Sequence, residues 1–303
     1  MGILVDRNSR VGIVGITGLD AMAAAKDMLN YGTPVLAGIS PGRRGERIQE
    51  IPVYDTVRQA VEEQGVNTML IYAPPAFILD AVQETLASDI KLMVIPTEKV
   101  PNQDVLKAIY EIKAVGARMI GPNTIGLIHP LERVKLGAIG GDKVERCFIP
   151  GCVGVISRSA GMTAETAHMI KKSGLGVSTA VNIGGDALIG TTPKELLELF
   201  ERDPQTKAVI LFTERNILLE EEVMEFIGQG SFSKPLIAAI AGKHTLHMLK
   251  KPWLGYEKIA DESADKWSEK LKRLKAAGVH VADKYDDIIT ILQDLELEES
   301  WVV

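Results

Sequence analysis

Short apolar runs alternate along the chain with longer stretches of helical periodicity. VGIVGI (11–16), PVLAGIS (34–40), NTMLIYA (67–73), KLMVIP (91–96) and RMIG (118–121) have the length and composition of strands. Between them, TGLDAMAAAKDMLNYG, TVRQAVEEQG, FILDAVQETLAS and VLKAIYEIKAVG carry apolar residues at the spacing of a helix with one buried stripe. The predicted strands are nearly unbroken in apolar residues, as strands covered on both faces are. The alternation therefore predicts βαβ units: a parallel sheet with helices on both faces.

The regularity lapses from about residue 122 to 151. Pro122, Gly126, Pro130, Gly137, Gly140, Gly141 and Pro150 punctuate that stretch, which reads as a linker. The pattern then restarts. CVGVISRS (152–159), GVSTAVNIGG (176–185), KAVILFTE (207–214), KPLIAAIAG (234–242) and the short VHVA read as strands. GMTAETAHMIKKSG, PKELLELFERD (193–203), EEEVMEFIGQG, SADKWSEKLKRLKAAG (263–278) and DDIITILQDLELEE read as helices, with Pro193 in the favoured first-turn position. Two doubly wound α/β domains are expected, over 1–125 and 151–303, joined by a linker at 126–150. The length of 303 residues agrees, because single cores give way to two domains near ~250–300 residues.

Composition narrows the partners. A net charge of −6 argues against nucleic acid as the main partner. No apolar stretch approaches the ~18–20 residues that span a bilayer. The opening MGILVDRNSR lacks the apolar core of a secretory signal. Cys147 and Cys152 are too few for a disulfide framework or a four-ligand zinc site. A cytoplasmic protein with reduced thiols, binding neither membrane nor nucleic acid, is expected.

Candidate chemistry sits where the predicted strands end. In open parallel sheets, ligands bind beyond the carboxyl ends of the strands. GITGLD (15–20) places Gly15, Thr17 and Gly18 ahead of a helix whose amides can hold a phosphate or pyrophosphate; an unliganded β-to-α turn explains the same residues. SPGRRGE (40–46) offers Arg43 and Arg44 as phosphate partners, or as an ordinary solvated loop. YAPP (72–75), PTEKVP (96–101) and GPNT (121–124) also follow strands. In the second half, SRSAGM (157–162) opens a helix with Ser157 and Ser159 as candidate N-caps. NIGGDALIG (182–190) sets two glycines and Asp186 after a strand, and FTERN (212–216) ends one with Glu214. Converging amides and helix N-termini suit a phosphorylated or carboxylate group.

In this order and spacing, ILVDRNSRV, GITG, YGTPVLAGISPGRRG, IPVYDTV, RMIGPNTIG, VGVISRS, NIGGDALIG, FERDPQT and LKAAGV resemble the α subunits of the succinyl-CoA synthetase family. That family lies within the nucleoside-diphosphate-forming acyl-CoA synthetases, with citryl-CoA synthetase and ATP citrate lyase. The resemblance covers nearly the whole chain. It implies a Rossmann-type CoA-binding domain followed by a flavodoxin-like ligase domain. It also implies a small carboxylate substrate, coenzyme A, and a hetero-oligomer with an ATP-grasp β-type subunit that carries ATP and Mg. This chain has no Walker-type loop of its own. By the resemblance, Thr17, Gly18, Leu19 and Asp20 match the turn that contacts CoA. Arg43 matches a basic CoA contact that is usually lysine, and Pro96, Thr97 and Glu98 match a further CoA segment. Ser159, Ala160 and Gly161 match the helix start that receives a phosphohistidine, and Glu214 matches the acid that orients it.

The sequence departs from the family at several of these places. Asp20-Ala21 replaces Gln-Gly in the CoA turn. Thr124 stands where the family has cysteine, and Ala164 where it has tyrosine. Glu214-Arg215-Asn216-Ile217 replaces Glu-Ile-Gly-Gly. Above all, the family's Gly-His-Ala-Gly-Ala falls where this chain reads Pro252-Trp253-Leu254-Gly255. His244 and His247 come several residues too early. Three expectations stay open: a ligase subunit using His247 or His244 in a displaced role, one passing an acyl phosphate directly to CoA, and a non-catalytic CoA-binding subunit. His244 and His247 as a metal pair lack a third ligand nearby in sequence.

Overall fold

The computed structural model describes residues 2–214, 219–241 and 271–297. The first sheet contains β1 (Val11–Val14), β2 (Val35–Ile39), β3 (Arg47–Ile48), β4 (Ile51–Tyr54), β5 (Thr68–Ile71), β6 (Leu92–Val94) and β7 (Arg118–Ile120). Across the sheet they run β3-β4-β2-β1-β5-β6-β7. Every neighbouring pair is parallel except the β3–β4 hairpin. The crossovers hold α1 (Leu19–Tyr31), α2 (Val57–Gln64), α3 (Ile78–Ala87) and α4 (Asn102–Ala114). The chain steps outward from β1 through β2 to β4, then returns to β1's other side to lay down β5, β6 and β7. The strand order therefore reverses between β1 and β5, which is the Rossmann arrangement.

The second sheet contains β8 (Leu127–His129), β9 (Val134–Leu136), β10 (Pro150–Ser157), β11 (Val177–Asn182), β12 (Ala208–Glu214), β13 (Leu236–Ala241) and β14 (His280–Ala282). Their order is β14-β13-β12-β10-β11-β8-β9. Helices α5 (Ala160–Lys172), α6 (Pro193–Arg202), α7 (Leu219–Gly228) and α8 (Asp287–Asp294) accompany it. The parallel strands run β11-β10-β12-β13-β14, the flavodoxin-like order, with its reversal between β10 and β12. Both doubly wound domains expected from the sequence are present.

Local chemistry explains the elements. All four residues of β1 and of β5 are buried, as the unbroken apolar runs require. Helix α6 starts with a reciprocal cap. The Thr192 hydroxyl accepts from the Glu195 amide at 3.3 Å, and the Glu195 carboxylate accepts from the Thr192 amide at 2.7 Å. Pro193 follows at the first helical position, and Leu196, Leu197 and Phe200 bury the inner face.

The stretch 126–150, expected as a linker, holds β8 and β9. β8 pairs antiparallel with β11, and β9 pairs antiparallel with β8. The breakers are real, but they bound strands of only three residues each. A second feature masked the hairpin: Lys135 in β9 is fully buried. Its ammonium donates to the Ile139 carbonyl at 3.0 Å and the Gly141 carbonyl at 2.7 Å, which is how a charge is tolerated there. The hairpin also ties back to the first domain. The Thr33 hydroxyl accepts from the Lys135 amide at 2.9 Å and donates to its carbonyl at 3.0 Å. One apolar cluster joins the sheets, with Ile13, Leu70 and Ile120 from the first and Ile156, Val181 and Val209 from the second. Cys147 is half-buried and Cys152 buried, and the two are not joined to each other in a disulfide. No helix among the described residues is long and apolar enough to cross a membrane.

His129 in β8 is buried, with Nδ1 2.6 Å from the Ser178 carbonyl oxygen. Burial pushes its pKa below the ordinary value, against a weaker opposing pull from that carbonyl and from Glu132 and Asp203. The unfolded imidazole regains its ordinary pKa, so below about pH 6.5 the unfolded chain binds more protons. The stability this residue contributes is present above that pH and lost as pH falls through it toward the folded value. Thermal melts are expected to show a lower Tm at about pH 5.5 than at about pH 7.5. His129→Gln should show a smaller drop, and an undiminished drop contradicts this role.

Candidate active site at two strand-order reversals

The first reversal is shaped by Gly15. Its φ is +76°, and a Cβ there would lie 2.8 Å from the Tyr72 carbonyl oxygen. Only glycine lets the end of β1 pass so close to the end of β5. The predicted strand at 11–16 therefore stops at Val14. The Gly18 amide closes the turn on the Gly15 carbonyl at 3.0 Å. Gly18 is the N-cap of α1 and supplies no side-chain cap, so the amides of the first helical turn face outward without intrahelical partners. Gly18, Leu19 and Asp20 are exposed, and Leu19 is 82% so. Thr17 is half-buried. Burial, and after it the Asp20 charge, pushes the Tyr72 phenol well above its usual range.

The neighbouring strand ends hold the other expected residues. Arg43 lies in the loop after β2. Pro96, Thr97 and Glu98 follow β6, and the Thr97 hydroxyl donates to the Ala73 carbonyl at 2.8 Å. All eight residues matched to CoA contacts therefore sit at the carboxyl end of the first sheet, after β1, β2 and β6.

The second reversal is built around α5. Ser159 is its N-cap by position, yet its hydroxyl makes no capping bond. Ser157, the other candidate cap, is buried. It accepts from the Ser159 amide at 3.2 Å and donates to the Ser159 carbonyl at 3.0 Å. Neither serine side chain caps the helix, so the amides of its first turn stay open. Ala160 and Gly161 are exposed, and a Cβ added to Gly161 would meet nothing within 4 Å. Glu214 is the last residue of β12, across the reversal from Ser159. His244, His247 and the segment Arg215–Ile217 lie outside the described residues.

Two asparagines weld these ends together. Asn182, the last residue of β11, is buried. Its amide nitrogen donates to the Ser157 carbonyl and the Thr163 hydroxyl, both at 3.2 Å, and its Oδ1 accepts from the Ile125 amide at 3.1 Å. Thr124 donates to the Asn182 carbonyl. Asn123 sits at φ +56°, a left-handed conformation that asparagine tolerates. Its amide donates to the Thr97 carbonyl at 3.0 Å, and its carbonyl accepts from Gly185 at 3.0 Å. Its side chain donates to the Asp186 carboxylate at 2.8 Å. The buried Arg158 completes the weld, donating to the carbonyls of Gly185 at 3.2 Å and Asp186 at 2.5 Å. Gly184, at φ +102°, lets the two loops meet: a Cβ there would lie 2.1 Å from the Pro122 carbonyl oxygen. The sequence reading missed both asparagine roles. The one signal was an asparagine at the end of a strand, followed by Ile-Gly-Gly.

A Rossmann-type sheet with an open helix N-terminus, joined at its carboxyl end to a flavodoxin-like sheet with another, defines the class: a CoA-binding domain followed by a CoA-ligase domain. Family models described as CoA binding domain and CoA-ligase match residues 6–99 and 156–284. The chain is 38% identical over 295 residues to succinate–CoA ligase [ADP-forming] subunit alpha 2 of Archaeoglobus fulgidus, covering 97% of this chain and 100% of that one. It is 33% identical to the ADP-forming sulfoacetate–CoA ligase subunit SqwL of an Acholeplasma species, covering 97% and 98%. These matches place the chain plainly: it belongs to the succinyl-CoA synthetase α-subunit family. The fold also matches an ATP citrate lyase variant of Methanosaeta concilii solved with (3S)-citryl-CoA, at a TM-score of 0.86 and 21% identity. There this chain is covered over 97% of its length but spans only 51% of the longer polypeptide.

Asn182→Ala removes three hydrogen bonds at a buried point and orphans the Ile125 amide. Denaturant titration is expected to show a loss of about 2–4 kcal/mol. A loss below about 0.5 kcal/mol, the range of ordinary surface changes, contradicts the weld.

Proposed function

We propose that the chain is the α-type subunit of an ADP-forming carboxylate–CoA ligase, acting with an ATP-grasp subunit that holds ATP and Mg. The substrate is a small carboxylate, in line with the succinate and sulfoacetate in the relatives' names. A substrate carboxylate oxygen attacks the γ-phosphorus of ATP, giving an acyl phosphate and ADP. The CoA thiol then loses its proton and attacks the acyl carbonyl, and phosphate leaves with its electron pair. The observation that carries this reading is a pair of uncapped helix N-termini, α1 and α5, each at the strand-order reversal of its own sheet.

Each part of the chain has a task in this scheme. The outward amides of α1 suit the CoA pyrophosphate, because a helix N-terminus presents donors and a positive dipole end. The α5 amides and the Ser159 hydroxyl suit the phosphoryl oxygens, where fixed donors stabilise developing charge. Gly161 leaves room for that group, and Glu214 stands across from it at the end of β12. Asn123 keeps the two sites adjacent, which the thiol needs in order to reach the acyl group.

The sequence Pro252-Trp253-Leu254-Gly255, at the place where the family resemblance implies Gly-His-Ala-Gly, favours a second reading: a CoA-binding subunit that has lost phosphotransfer. One assay separates the two. The chain is purified with its ATP-grasp partner and given γ-labelled ATP, CoA and a panel of carboxylates. Acyl-CoA and ADP are expected products. Acid-labile, base-stable label on the protein that disappears in His247→Ala assigns a phosphohistidine route. Turnover without label assigns direct transfer from the acyl phosphate. CoA binding with neither label nor turnover supports the second reading, and no CoA binding overturns both.

A further inference from the structure

The loop after β2 carries an anion nest that the protein fills with its own carboxylate. The amides of Gly42, Arg43 and Arg44 all donate to Oδ1 of Asp55, at 2.7, 3.1 and 3.3 Å. Consecutive amides converging on one oxygen form the concavity that elsewhere holds phosphate. Gly42 reaches the required geometry at φ +78°. Asp55 is itself fixed. It follows β4, its amide donates to Gln59 Oε1 at 3.2 Å, and the next residue, Thr56, caps α2 by accepting from the Gln59 amide at 3.3 Å. The rest of the loop is pinned to β4, with Ser40 donating to Tyr54 at 2.9 Å and Gly45 to Val53 at 3.2 Å.

This arrangement divides the work of anion binding. With the amides taken, the positive charge the loop can offer a ligand comes from the Arg43 and Arg44 side chains. Both are about half exposed. Arg43 pairs with Glu46 at 2.8 Å and Arg44 with Glu63 at 3.0 Å. Exposed pairs of this kind hold side chains only weakly and exchange readily for a doubly charged group. In a Rossmann-type sheet, the region after the second strand meets the adenosine ribose, and arginine there accommodates a ribose phosphate. CoA carries such a phosphate on its ribose 3′ carbon.

We infer that Asp55 is a positioning residue for this loop, holding Arg43 and Arg44 where they read the ribose 3′-phosphate of CoA. The inference rests on the CoA reading above, and it goes further by naming the residue that aims the loop. Asp55 touches no ligand. It acts by locking the backbone from which both guanidinium groups project.

Calorimetric titration of the full chain with CoA and with 3′-dephospho-CoA tests this. The wild-type chain is expected to bind CoA about tenfold more tightly, the scale of one charge-assisted contact. Asp55→Ala should weaken CoA binding until the preference vanishes, while leaving 3′-dephospho-CoA affinity unchanged. Asp55→Asn keeps an oxygen that accepts the same amides and should retain the preference. This variant also decides the matter if Asp55→Ala fails to fold. Equal loss for both ligands in Asp55→Ala marks a merely structural role and overturns the proposal. So does a preference that survives the substitution, or loss of the preference in Asp55→Asn. A wild-type chain that binds the two ligands equally overturns it while sparing the CoA reading. A wild-type chain that binds neither overturns the CoA reading and the proposal together.

Discussion

Two sheets with their carboxyl ends turned toward each other need something rigid at the meeting point, and Asn123 supplies it. In one residue it bonds to Thr97 from the first sheet and to Gly185 and Asp186 from the second. Its left-handed backbone is what lets all three bonds form together. Gly184 supplies the close approach and Arg158 braces the far side. Through this contact the loop after β6 and the loop after β11 are held together at the carboxyl ends of the two sheets. The shared apolar cluster works in the same direction, since it fixes the sheets before any ligand arrives.

The chain carries a net charge of −6, yet the uncapped N-termini of α1 and α5 are locally positive. Helix dipoles and unpaired amides act within a turn, so the field at each reversal is set locally and not by the sum of charges. The same local logic explains Asp55. Three amides of the loop after β2 are satisfied internally by one carboxylate oxygen, which leaves the Arg43 and Arg44 side chains as the loop's exposed positive charge. At α5 the opposite choice is made, because the Ser157 hydroxyl bonds to the Ser159 backbone and leaves the helix start open.

Much of the fold was legible in the sequence because buried parallel strands leave unbroken apolar runs, and their crossovers leave a helical stripe. The runs overshoot the strands at functional ends. The stretch 11–16 stops at Val14 and 176–185 at Asn182, in each case just ahead of a glycine with positive φ, Gly15 and Gly184. The β3–β4 and β8–β9 hairpins left little trace. Their strands are two to four residues long with no helix between the paired strands to mark them, and the buried Lys135 broke the apolar pattern. The strand-end residues could be listed from the sequence, because glycine, serine and arginine at those places have distinctive chemistry. The roles of Asn123, Asn182 and Asp55 could not, because each bonds to backbone brought near only by the tertiary fold.

The most direct measurement is amide hydrogen exchange of the full chain with and without CoA. Bound CoA should slow exchange at 15–21, 40–46 and 121–126, and leave the opposite strand ends near 8–11, 66–68 and 89–91 unchanged. CoA that binds but protects only those opposite ends, or protects the second domain alone, would contradict a site built at the carboxyl ends of the first sheet and welded to the second through Asn123.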